Sequence, residues 1–119
     1  MRNISFSLTT AQFKDGSKDI TRRLGWDFLN VNDHLMACEK CQGIKRGESI
    51  VRLGPIQVIS ITREPLSRMI TDPKYGKAEA IREGFPDLTG QQFVEMFCRH
   101  MKCQTATRIA RIEFKRIQP

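Results

Sequence analysis

The chain contains no apolar run near the roughly 20 residues that a helix needs to cross a bilayer, so no membrane partner is expected. Polar Asn3, Ser5, Ser7 and Thr9 interrupt its start, which leaves no apolar core for a secretory signal; a cytoplasmic location is expected. In that compartment the four cysteines are expected as thiols. Histidine is scarce: His34 and His100 are the only two, and neither falls in a Ser-His-Asp pattern. There is no Walker-type glycine loop and no Rossmann fingerprint. Repeats, low-complexity tracts and linkers are also missing. Acidic residues are in deficit, 13 against 20 Lys and Arg, for a net charge of +7. That excess favours an anionic partner, nucleic acid first; the plainer alternative is a basic surface that keeps the protein soluble.

The chain has 119 residues, 39% of them hydrophobic and 28% charged. That is enough for one domain, 1–119, with its own core. Ile4, Phe6 and Leu8 alternate with polar residues and predict a half-buried strand over 3–9. Thr10 is placed to cap one helical turn, 11–14, ended by Asp15-Gly16. Trp26, Phe28, Leu29 and Val31 read as core, Asn32-Asp33 as a turn, and 34–41 as a helical turn or short strand. Residues 43–47 read as a basic turn. Apolar residues of both parities over 49–63 predict a strand buried on both faces, bent at Gly54-Pro55. Glu64-Pro65 is expected to start a short helix broken by Asp72-Pro73. A second helix is expected over 77–83, closed by Gly84. Thr89 and Gln92 form a capping box for a helix reaching about Lys102, with Glu95 and Arg99 pairing one turn apart. Ala110, Ile112 and Phe114 mark the inward face of a last antiparallel strand, with Arg111, Glu113 and Lys115 outward.

The densest chemistry lies in Gly16-Ser17-Lys18-Asp19-Ile20-Thr21-Arg22-Arg23, followed by Trp26, the only tryptophan. A threonine hydroxyl becomes a nucleophile when a base takes its proton. A lysine serves as that base when burial or nearby positive charge lowers its pKa. Positions three apart on a strand point to opposite faces, so Lys18 and Thr21 converge only if the segment turns. The plainer reading is a basic anion-binding turn in which Lys18 and Arg22 contact phosphate and Thr21 caps the backbone.

The Gly-x-Lys-x-x-Thr-Arg-Arg segment after a short strand resembles the signature of ASCH domains, of the PUA-like superfamily. Gly43 to Glu48, Ile50 to Ile56, Ala78 to Phe85 and Arg111 to Phe114 resemble further blocks of that family in the expected order. The resemblance covers nearly the whole chain. It implies an α+β fold: a small, mostly antiparallel PUA-like β-barrel with inserted helices. It also implies an RNA or nucleoside/nucleotide ligand in a basic cleft. Some small ASCH proteins are amidohydrolases on N4-acylated cytidine, with a Lys, Thr and Glu triad; others are ribonucleases. Their Lys-x-x-Thr falls on Lys18 and Thr21, and the glutamate falls on Glu79, with Glu83 as the alternative. This chain departs from the smallest of them in a longer stretch over 23–45 and a longer last helix.

Beside the motif, Arg22, Arg23, Lys45, Arg46, Arg52 and Arg63, with Lys14 and Arg68, are candidates for a phosphate-contacting face. Trp26 and Tyr75, the latter in a polar loop, are candidates for stacking on a base, while Phe28 reads as core. Cys38 and Cys41 have the spacing of half a zinc knuckle, for which Cys98, His100 and Cys103 offer an imperfect second half; free thiols are the favoured reading. No metal and no cofactor are expected. His100, one turn from Met96 and Phe97, reads as a packing residue.

Overall fold

The computed structural model describes residues 1–41 and 45–117. The chain runs β1 (Arg2–Ser5), α1 (Thr10–Asp15), β2 (Ile20–Arg23), β3 (His34–Cys38), β4 (Arg52–Pro65), α2 (Arg68–Thr71), α3 (Pro73–Arg82), α4 (Gly90–Met101) and β5 (Arg108–Arg116). The strands form one five-stranded sheet in the order β1-β3-β4-β5-β2. Three of its pairings are antiparallel, and β1 with β3 is parallel. The result is an α+β domain with a curled, mixed half-barrel. Its two edge strands are bridged by one side chain: Nη2 of Arg23, on β2, donates to the Ser5 carbonyl of β1 at 2.5 Å.

The curl has a cause in β4. Leu53 is skipped in the register with β3, where Ala37 faces Gly54 and Cys38 faces Arg52. Ile59 is skipped against β5, where Val58 faces Phe114 and Ser60 faces Glu113. Each extra residue is a bulge that bends the strand and increases its twist. These bulges also correct the expectation of two-face burial. Ile56 and Val58 lie in the core; the bulge then turns Ile59 out, 43% exposed, and returns Ile61 to the core. Ile50 and Val51 precede the strand and are exposed.

Two apolar clusters flank the sheet. Phe6, Phe13 and Phe114 stack within the larger one, with Ile4, Leu35, Ile56 and Ile112 around them. Leu66, Met69, Phe93, Val94 and Phe97 bind α2 and α4 to the sheet in the second. Gly76 of α3 lies against Gly90 at the start of α4, where both backbones meet the Met69 carbonyl.

Several local expectations are corrected. Thr9, not Thr10, precedes α1, and the Thr10 hydroxyl donates to the Phe6 carbonyl. The segment 34–38 is a strand. Glu64-Pro65 ends β4 instead of starting a helix. Asp72 accepts from the Tyr75 amide as N-cap of α3, with Pro73 in its first turn, so Tyr75 sits on a helix and not in a loop. Phe28 and Val31 are half-exposed, Phe28 under the Arg2 guanidinium. Glu95 accepts from Gln91. The capping box of Thr89 and Gln92 is present, and β5 points Ala110, Ile112 and Phe114 inward as expected. Gly43 and Ile44 of the expected basic turn lie outside the described residues.

Candidate functional site

The motif divides between two local structures. Lys18 lies in the irregular stretch after α1, where its amide donates to the Gln12 carbonyl. Thr21, Arg22 and Arg23 lie on β2. Because Lys18 precedes the strand, alternation does not separate it from Thr21, and both line a cavity of about 580 Å³. Arg23 and Trp26 line it too. Phe85 and, from α4, Phe93, Met96 and Phe97 add apolar lining. His100, exposed on the last turn of α4, stands at its lip and is not a buried packing residue.

Helix α3 and its C-cap deliver the carboxylates, Glu79 from within the helix and Glu83 from the cap. Glu79 and Glu83 are one turn apart and both buried. Glu83, not Glu79, meets Lys18: Lys18 Nζ donates to the Glu83 carboxylate at 2.9 Å and to its carbonyl at 2.7 Å. Glu83 also lines the cavity. Glu79 accepts from Arg22 at 2.7 Å and from Arg111, which grips both its oxygens. Arg22 reaches Glu83 as well, at 3.1 Å, and lies 3.5 Å from Glu64. Tyr75 donates to Glu64 at 2.7 Å and accepts from Arg22 at 3.2 Å.

Register explains why Arg22 is turned to carboxylates. Arg22 stands directly opposite Arg111 across the β2–β5 ladder. Two guanidinium groups in that position repel unless an anion stands between them, and Glu79 is that anion. Thr21 and Arg23 alternate to the other face, where Thr21 accepts from Arg23 Nε at 3.1 Å. Glu64 and Arg111 belong to this network, and neither is singled out by the motif. The signal for Arg111 is its place on the outward parity of β5, which becomes informative once β2 is known to pair there.

Burial sets the protonation tendencies. It pushes the Lys18 ammonium below the ordinary lysine value despite the pull of Glu83, and Arg23 and Arg22 add to the fall. Burial would raise the Glu79 carboxyl, but hydrogen bonds from Arg111 and Arg22 overcome it and hold it at about 2. Burial and the bond to Glu64 push the Tyr75 phenol up.

The other candidates lie elsewhere. Tyr75 is held within the carboxylate network and does not line the cavity. Lys45, Arg46 and Arg52 are exposed and outside it. Arg63 donates to the carbonyls of Gly25 and Trp26, each at 2.9 Å, and lies 3.4 Å from Asp27. Cys38 is buried, and burial with Cys41 beside it pushes its thiol up to about 11. Cys98 and Cys103 have their sulfurs 3.9 Å apart. Among the described residues no three His, Cys, Asp or Glu side chains come together where they could hold a metal ion. No helix among those residues is long and apolar enough to cross a membrane. No protein-family model, curated protein or solved structure matches the chain.

Proposed function

We propose that this is an ASCH-like domain of the PUA-like superfamily whose cleft binds a nucleotide or an RNA segment. The observation that carries the reading is the make-up of the cleft. One cavity of about 580 Å³ holds Trp26, the cationic Arg23, and the Lys18–Glu83 pair. That volume lies in the range of small-ligand sites. A base stacks on the indole, and the sugar-phosphate reaches Arg23. Lys45, Arg46 and Arg52 guide a longer strand outside the cleft. Trp26 is the only tryptophan, so its emission reports occupancy directly. Titration with mononucleotides and short RNAs should give saturable quenching, about tenfold weaker in Arg23→Ala for the loss of one charge-assisted contact. Flat emission and no affinity for any of them overturn the reading.

A second reading, hydrolysis in the same cleft, is favoured by one specific observation: Lys18 is buried against Glu83 in the cavity that Thr21 also lines, with its pKa pulled down. In this reading the neutral Lys18 amine takes the Thr21 proton as the hydroxyl attacks an amide carbonyl. Arg23, already donating to Thr21 Oγ1, steadies the alkoxide. Lys18 then returns the proton to the leaving amine, and water frees the acyl group from Thr21. Glu83 orients Lys18. N4-acylated cytidine is the substrate to assay, with RNA cleavage as the ribonuclease variant. Release of cytidine or cut RNA that disappears in both Lys18→Ala and Thr21→Ala supports an enzyme. Binding without turnover leaves the cleft as a recognition site.

A further inference from the structure

The only tryptophan sits on an uncommon backbone. Gly25 and Trp26 are consecutive left-handed residues, at φ 73 and 60. Glycine adopts that state freely, but bulky side chains rarely do, and they hold it where the surroundings enforce it. Here the enforcing group is visible. Arg63, on the neighbouring end of β4, turns its fork to two successive carbonyls, Nη1 to Gly25 and Nη2 to Trp26, each at 2.9 Å. The Leu29 amide adds a bond to the same Trp26 carbonyl at 3.1 Å. The planar guanidinium is suited to hold two acceptors at once; a lysine ammonium lacks that geometry. The Asp27 carboxylate near Arg63 is almost fully exposed, so the two carbonyls are its main partners. The turn presents the indole to the cleft, with its ring 5.3 Å from that of Phe28.

We propose that Arg63 is a positioning residue: it locks the Gly25–Trp26 turn in its left-handed form and thereby sets the indole against the base of the ligand. This replaces phosphate contact as the role of Arg63. It rests on the cleft being a nucleotide or RNA site, but half of its test does not need a ligand.

The test compares wild type with Arg63→Ala, Arg63→Lys and Asp27→Ala. Trp26 emission and its quenching by acrylamide are read first, without ligand, after thermal denaturation shows each variant folded. Greater quenching and a shifted emission are expected in both Arg63 variants, with Asp27→Ala like wild type. Cytidine 5′-monophosphate and a short single-stranded RNA are then titrated. Both should bind about tenfold more weakly to the Arg63 variants through lost preorganisation, and normally to Asp27→Ala. Should Arg63→Ala not fold, Arg63→Lys carries the comparison. Unchanged emission in the folded Arg63 variants overturns the clamp. Altered emission with unchanged affinity overturns its role in setting the base. If wild type binds neither probe, the cleft reading falls and that role with it, while the emission comparison still decides the clamp.

Discussion

Lys18 and Glu79 show how the same burial gives opposite outcomes at single residues. Lys18 has one buried carboxylate partner, and desolvation wins, so its pKa falls. Glu79 has two guanidinium partners, and the carboxylate wins, so its pKa falls to about 2 from 4.5. The consequences differ in sign. For Lys18 the folded chain disfavours the charged form. Its contribution to stability therefore improves as pH rises from the folded pKa towards 10.5. If Lys18 is the base, turnover should rise with pH along an apparent pKa below 10.5, and a pH–rate profile of kcat/KM checks this. For Glu79 the stabilisation is present above pH 4.5 and is lost as pH falls from there through about 2. A displacement of that size is worth about 3 kcal/mol. Denaturant unfolding between pH 5 and 2 should show wild type losing that much more stability than Glu79→Gln.

At the scale of elements, the tightest point is the crossing of α3 and α4. A Cβ on Gly76 would stand 2.0 Å from the Met69 carbonyl oxygen, and one on Gly90 2.3 Å from the same atom. Both clashes are with backbone, which cannot swing aside. Gly76→Ala should therefore cost about 3 kcal/mol, at the upper end for overpacking. Thr89→Ala, which removes only half of a capping box, should cost about 1 kcal/mol. Chemical denaturation of the two variants ranks these effects. The same elements show what could be read in advance. The last helix and β5 were legible because their apolar periods run uninterrupted between clear signals. In β4 one bulge, at Ile59, reverses the parity, so the pattern mimicked a strand buried on both sides. Asp72-Pro73 carried two meanings, breaker and helix start, and both hold; reading only the first hid Tyr75 on a helix. The turn at Gly25-Trp26 depends on Arg63, 37 residues away from Trp26, and no local signal announces such a partner. Of the cleft, spacing alone placed Lys18 and Thr21 on opposite faces of a strand, and it was the turn before β2 that let both line one cavity; the choice between Glu79 and Glu83 was not legible either. Residues one helical turn apart share a face, so both point at β2, and only the register of Arg22 against Arg111 assigns Glu79 to the guanidinium pair and leaves Glu83 for Lys18.

For the whole molecule the question is where the net charge of +7 acts. It does not act mainly through the floor of the cleft. Lys18 and Arg22 both face Glu83, and Arg22 also meets Glu79 and Glu64. Arg23 is held by the Ser5 carbonyl and Thr21, neither of them charged. A mononucleotide bound there meets about one free cation and carries no condensed counterions to release, so its affinity should fall only gently with salt, through ordinary screening. A longer RNA passing the exposed Lys45, Arg46 and Arg52 should show a steeper slope. Replacing those three by glutamine should flatten it while leaving mononucleotide affinity unchanged. Trp26 titrations over a series of salt concentrations measure both. A steep slope for the mononucleotide itself would mean that ligand entry parts Lys18 from Glu83 and exposes a second cation to phosphate. The carboxylate network would then act as a counter-charge that the ligand displaces, not as a fixed floor.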